Sequence, residues 1–281
     1  MGKSYLRKIP VDEQMRIDPE QLEKQVQKDK NRGLEPICAI AVAGTTNSGA
    51  VDDLEAVANI CEKHNLWYHV DAAYGGPAAK VEGVSNLFAG IEKADSLVVN
   101  PHKWMYVPFE AGGALVKNPE HLRETFSTIP DYLKSDQQEG GRTDLMEYNL
   151  PLTKEFKALK VWMTIKAYGA DRLRNEIGND IAKAQHLVEL VEGNADLELM
   201  APAPLSIVCF RYNPGGMDEE ALNTLNDRII DKMEADGRVF LTGTKIDGKT
   251  ALRTCFINHR TEKSDIVFLR DVVLEIGAAL V

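Results

Sequence analysis

Apolar residues along this chain fall into two alternating patterns: short unbroken runs, and stripes at helical spacing. Asp18-Pro19-Glu20 opens a helix, with proline in the first turn and acids at the amino end, that runs to Asn31 or Arg32 and stops at Gly33. Residues 37–43 are almost continuously apolar, the pattern of a parallel strand covered on both faces. Asp52 or Asp53 caps a second helix, whose Leu54, Val57, Ala58 and Cys61 fall at i, i+3, i+4 and i+7. Further strands are expected at 66–70, 96–99 and 112–117, a helix-like segment at 84–91, and a short, poorly alternating strand at 5–11. Strand and helix alternating at this spacing predict an α/β fold with a mainly parallel sheet.

The rhythm changes in the second half. Residues 131–149 are polar and contain glycine, which in a compact domain marks a functional or disordered loop. After Pro151 a helix is expected with Phe156, Leu159, Lys160, Met163 and Ala167 on one side, interrupted at Gly169. Strands at 206–212, 238–244 and 252–257, with helices at 218–235 and 262–280, make a small α+β domain. The division is a large domain over 1–165 and a small carboxyl-terminal domain over 166–281.

Composition narrows the function. The 281 residues, 44% hydrophobic and 27% charged, are those of a soluble globular protein. A net charge of −10 argues against nucleic-acid partners and an anionic membrane surface. Cys38, Cys61, Cys209 and Cys255 show no metal or disulfide spacing, and read as small buried hydrophobes in a reducing compartment. With no signal peptide and no spanning run, a cytoplasmic protein is expected, with no metal.

The candidate chemistry sits where two apolar runs end. HVDAAYGG (69–76) places Asp71 at one strand's carboxyl end, and NPHKW (100–104) places Lys103 just after another. Ligands bind at such ends in open α/β sheets. A carboxylate there is commonly solvated or caps a helix, but Ala72-Ala73 leave a flat floor for a planar ring. An isolated lysine beside tryptophan is commonly a snorkelling surface group; Asn100, Pro101 and His102 instead suit a tight turn beside an anion. An acid and an amine so placed suit pyridoxal 5′-phosphate, which takes a Schiff-base lysine and an acidic partner for its pyridinium nitrogen. Thr45 and Thr46 end another strand, and their hydroxyls suit the cofactor's phenolic oxygen or the substrate carboxylate, Thr46 being preferred. The competing reading is a turn that satisfies its own backbone. His69 is expected to face packing helices rather than the ring.

HVDAAYGG, NPHKW, GTTNSGAVDDL and IPDYLK, in this order, resemble the group II pyridoxal-phosphate decarboxylases of fold type I, relatives of aromatic L-amino acid, histidine and glutamate decarboxylases. The resemblance continues more thinly through SIVCFRY and the last helix. It implies that Lys103 forms the Schiff base, Asp71 pairs with the pyridinium, Ala73 lies against one ring face, and Asn100 and His102 lie near the phosphate and lysine. It also implies that Tyr132 protonates Cα. Phenylalanine at that loop position accompanies aldehyde synthesis in the family, so Tyr132 favours decarboxylation of an amino acid, aromatic by preference, to its amine. A homodimer is implied, its loop reaching across the interface. Family members carry some 200 residues before the position of Met1, so a chain supplying that part is an expected alternative partner. Thr153-Lys154-Glu155 departs from the glycine and arginines of the pattern. Two other readings are a non-catalytic relative that associates with another chain, and a carbon–carbon lyase or aminotransferase of the same fold.

Overall fold

The computed structural model of the protein describes residues 2–127 and 145–281. Its first sheet is β1 (Cys38–Val42), β2 (Trp67–Asp71) and β3 (Ser96–Val99), parallel and in that order, with β4 (Gly113–Val116) antiparallel to β3. Helices α1 (Pro19–Asn31) and α2 (Leu54–His64) start where the acids predict. The Asp18 carboxylate accepts from the N–H groups of Glu20 and Gln21, and Asp53 from that of Ala56. Leu54, Val57, Ala58 and Cys61 are all buried, and pack on Ala39, Ala41, Tyr68 and Val70 of the sheet. Asp52 is not the cap. Its buried carboxylate accepts from Ile17 N at 2.7 Å and Val42 N at 2.6 Å, stapling the amino-terminal arm to β1, and burial pushes its pKa up.

Four expectations are corrected. Residues 5–11 form no strand: Lys3–Tyr5 is a 3-10 turn, Tyr5 and Leu6 are exposed, and a single bridge joins Val11 to Ile17. The 84–91 segment is not one helix but two 3-10 turns, Ser85–Phe88 and Ile91–Lys93. Gly90 breaks it, with φ 92° and so close an approach to α2 that a Cβ would lie 2.6 Å from the Glu55 backbone. β1 is covered on one face only. Ala39 and Ala41 are buried, whereas Ile40 is half exposed and Cys38 is also exposed, because α2 packs on one side and no described residue covers the other. Among the thiols, then, Cys61 and Cys209 fit the expected buried role and Cys38 does not; all four are free.

The long helical pattern divides at Gly169 into α5 (Ala158–Tyr168) and α6 (Ala170–Glu192). Between β3 and α5 lie α3 (Pro101–Trp104) and α4 (Glu120–Phe126). The second sheet is antiparallel, in the order β5 (Leu197–Leu199), β6 (Ile207–Tyr212), β8 (Lys249–Cys255), β7 (Thr242–Ile246). It is backed by α7 (Glu219–Asp236) and α8 (Lys263–Leu280). β7 starts at Thr242 rather than Arg238, since the hairpin register is set by Asp247-Gly248, both at positive φ as a two-residue turn requires. β5 is too short to leave a periodic signal. Helix α6 serves both cores, giving Ile177 and Ile181 to the first and Ala184, Leu187 and Val191 to the second. No described helix is long and apolar enough to cross a membrane.

Candidate active site

β2 delivers Asp71 and β3 delivers Asn100, and backbone bonds tie the two exits together. Ala72 N donates to Val98 O at 3.1 Å, and Asn100 N to Ala73 O at 3.1 Å. The chain then turns into α3 with proline at its first position, and Lys103 N donates back to Asn100 O at 2.9 Å. Gly112 lets the next segment close over this turn, because a Cβ there would lie 2.8 Å from Asn100 Oδ1. Segments 71–73 and 100–103, separated by a full crossover, thereby adjoin at the carboxyl edge of the sheet, where α/β folds bind ligands.

The half-buried Asp71 accepts one bond, from Ala73 N at 3.1 Å, which leaves most of its acceptor capacity free. Lys103 is also half-buried, and its amine has no hydrogen bond or ion pair among the described residues. The Thr46 hydroxyl is exposed and likewise unbonded, while its carbonyl accepts from Arg253 Nε at 2.8 Å. Thr45 is spent on its own turn, with its hydroxyl 2.9 Å from Ser48 Oγ and 3.1 Å from Ala50 N. His102 Nδ1 lies 2.7 Å from Ala111 O and 3.1 Å from Ala111 N, so only its Nε2 remains available.

The expected orientation of His69 is wrong. Trp67, His69 and Asp71 alternate with buried Tyr68 and Val70, so the period of two puts His69 on the same face as Asp71. Its Nδ1 lies 2.7 Å from Ser96 Oγ, which also accepts from Trp67 Nε1 at 2.8 Å. Tyr132 lies outside the described residues.

Several site-supporting residues escaped sequence reasoning. Trp104 is fully buried and stacks on Tyr74, centroids 4.9 Å apart and planes 7° from parallel. Tyr74 OH meets Ser206 Oγ at 2.5 Å, and Trp104 Nε1 donates to Asp180 at 3.1 Å. Trp104 and Tyr74 stood inside the two motifs, but nothing in the spacing marks Ser206, Asp180 or Arg253. They arrive from remote elements.

An amine and a hydroxyl without partners among the described residues, a carboxylate with free acceptor sites and the small Ala73 suit the aldehyde, ring nitrogen and ring of pyridoxal phosphate. The chemistry of the donor set therefore fits that cofactor. The pyridoxal-dependent decarboxylase conserved domain matches residues 1–213. The chain belongs to that family.

Among curated relatives of this decarboxylase-family chain is an aromatic-L-amino-acid decarboxylase of Bacillus atrophaeus, 36% identical over 92% of the chain and 55% of the relative. A phenylacetaldehyde synthase of Arabidopsis thaliana is 33% identical over 89% of the chain and 51% of that protein. The chain spans about half the length of the curated relatives it matches. The crystal structure of Oryza sativa TDC with PLP and tryptamine superposes with a TM-score of 0.94 at 28% identity, covering 99% of this chain and 58% of that one. Catharanthus roseus tryptophan decarboxylase in complex with L-tryptophan gives 0.88 at 29% identity, covering 98% and 58%. The α/β fold expected from the sequence is thus the fold of these decarboxylases.

Proposed function

We propose that this chain carries the lysine and ring-anchoring part of a pyridoxal-phosphate-dependent decarboxylase that converts an L-amino acid, aromatic by preference, to its amine and carbon dioxide. The observation that carries the reading is the Lys103 amine, unpaired among the described residues, on a turn bonded to the strand end that holds Asp71. Relatives named as aromatic-L-amino-acid and tryptophan decarboxylases support the substrate class.

When bound, pyridoxal phosphate supplies an aldehyde for amines and an electron-withdrawing ring. In this reading Lys103 Nζ would be the group that holds the cofactor's aldehyde carbon and gives way to a substrate amine. Asp71 keeps a proton on the ring nitrogen, since an anion beside a protonated nitrogen favours its charged form. Ala73 offers a flat contact to the ring, and Thr46, Asn100 and the free Nε2 of His102 supply polar contacts. Tyr132 delivers a proton to the substrate Cα after carbon dioxide has left, and Lys103 is the alternative donor. The same reading takes residues 1–165 as part of a large domain and 166–281 as the small one, and the working unit as a cytoplasmic homodimer.

Mixing the purified chain with pyridoxal phosphate tests it. A visible absorption band of the bound cofactor, absent in Lys103→Ala, is expected, together with carbon dioxide release from aromatic amino acids. Absence of the band in the wild-type chain, alone and with candidate partner chains, overturns the reading. A band with aldehyde or keto-acid products in place of carbon dioxide turns it to the lyase or aminotransferase alternative.

A further inference from the structure

Asp180 is a fully buried carboxylate in α6, at the point where that helix passes from one core to the other. A buried charge is tolerated only when paired and hydrogen-bonded, and here both oxygens are used. Oδ2 accepts from Trp104 Nε1 at 3.1 Å and from the Tyr106 hydroxyl. Oδ1 accepts at 2.9 Å from Lys183 Nζ, which also donates to Asn258 O at 3.1 Å.

Trp104 and Tyr106 bracket the exit of the turn that carries Lys103. Trp104 follows the lysine directly and is wedged on its other side by the Tyr74 ring. Tyr106 has φ 56°, in the left-handed region where a bulky residue stays only if its surroundings hold it. Its ring is also braced edge-on by His259, with centroids 5.7 Å apart. One carboxylate thus grips the chain one and three residues beyond Lys103.

We propose that Asp180 is a positioning residue for Lys103, fixing through Trp104 and Tyr106 the turn that presents the amine beside Asp71 and Asn100. The role matters for catalysis only if Lys103 is the cofactor lysine, so the inference rests on the reading above. Its own content is that a residue of α6, remote in sequence, sets how the Lys103 amine is held.

The test reads Lys103 without cofactor. The folded full chain is acylated with trace acetic anhydride, and the rate at each lysine is followed by peptide mass spectrometry. Asp180→Asn keeps the side-chain size but removes the charge and one acceptor, and Tyr106→Phe removes a single donor. Asn226→Ala is the stability control. It lies in the second core, where Asn226 bonds the Tyr212 backbone at both N and O.

Lys103 is expected to acylate about fivefold faster in Asp180→Asn, the change in local opening that one lost net hydrogen bond allows, and by a smaller factor in Tyr106→Phe. Lys103 keeps its wild-type rate in Asn226→Ala, and lysines other than Lys103 and Lys183 keep theirs throughout. If the Lys103 rate moves no further in the Asp180 and Tyr106 variants than in Asn226→Ala, Asp180 is packing alone and the proposal is overturned. Should Asp180→Asn fail to fold, Tyr106→Phe and Trp104→Phe decide by the same criterion. Loss of the cofactor band in the wild-type chain would overturn the functional reading, while the acylation rates would still decide the positioning role.

Discussion

Asn100 donates its backbone N–H to the carbonyl of Ala73 at 3.1 Å, and that bond makes one platform of two strand exits. Every residue proposed to touch the ring or the amine, other than Thr46 and Tyr132, lies within three positions of one of its two ends. The crossover between β2 and β3 adds Ala73 at its start and the Tyr74 ring that stacks on Trp104.

Among the described residues Asp71 has one neighbour to satisfy and capacity left over, which is what an ion-pair partner for a ring nitrogen requires. Asp71→Asn keeps the shape and the bond from Ala73 but removes the charge. The expected loss is about 10²-fold in kcat with little change in KM, as for removal of one preorganised electrostatic contact. Steady-state carbon dioxide release measures it, and a kcat within a factor of about three of wild type would take Asp71 out of the mechanism.

Gly75 follows the aspartate string at a place where the backbone crowds its neighbour. A Cβ there would lie 2.3 Å from Ala43 O and 3.0 Å from Leu205 Cδ1. The carbonyl belongs to the segment just past β1 and accepts from Gly75 N at 3.1 Å, so it cannot swing away freely. Gly75→Ala should cost about 2–3 kcal/mol of stability in urea unfolding, the upper range of overpacking. A cost below about 0.5 kcal/mol would show that the turn yields.

Tyr74 ties the end of the aspartate string to the residue before β6 through its hydroxyl, which meets Ser206 Oγ at 2.5 Å and accepts from Ser206 N at 3.3 Å. Burial pushes its pKa well above the ordinary tyrosine value, so it stays a neutral phenol. Tyr74→Phe keeps the stack on Trp104 but strands two polar groups of Ser206. A loss of about 1–3 kcal/mol is expected, again in urea unfolding, with the ring contact intact by near-ultraviolet circular dichroism. An unchanged unfolding midpoint would mean that the hydroxyl contributes nothing net.

The parts of this fold that were legible in the sequence were those governed by neighbours in the chain. Asp18 and Asp53 announce α1 and α2 because capping needs only a side chain and the next two or three N–H groups. β3 was readable at 96–99 because an apolar run ends in a turn motif. What escaped was decided across the fold. Whether β1 is covered on both faces depends on what packs there, not on its own residues. The 84–91 segment lost its helix to the approach of Gly90 to α2. Asp71 and Lys103 could be found from their motifs, whereas Asp180 is one acid among several on a polar helix and acquires its role only when Trp104 and Tyr106 arrive. The His69 expectation failed for a simpler reason: residues two apart on a strand share a face.

Tyr132 is the residue proposed to choose between two outcomes that overall similarity does not separate. The chain is 36% identical to an aromatic-L-amino-acid decarboxylase and 33% to a phenylacetaldehyde synthase. If the Tyr132 hydroxyl returns the proton to Cα, Tyr132→Phe should release aldehyde and ammonia at the expense of amine, with dioxygen consumed. Chromatography of the products with an oxygen electrode follows both. Unchanged amine output would remove Tyr132 from the reaction.

Helices α1 and α2 are joined at the surface by Glu23, whose carboxylate lies 2.7 Å from His64 Nε2 and 3.0 Å from Lys63 Nζ. The hydrogen bond from His64, followed by that from Lys63, lowers its pKa to about 2. Because the folded value is below the unfolded one, the carboxylate stabilises the fold above the ordinary glutamate pKa of about 4.3, and that contribution disappears as pH falls toward about 2. Glu23→Gln should therefore have a lower Tm than wild type at neutral pH, and the gap should close across that acid window. The partly exposed position keeps the gap small, a few degrees at most, and added salt should shrink it further. A gap that persists undiminished below about pH 2.5 would assign the loss to packing rather than to the charge.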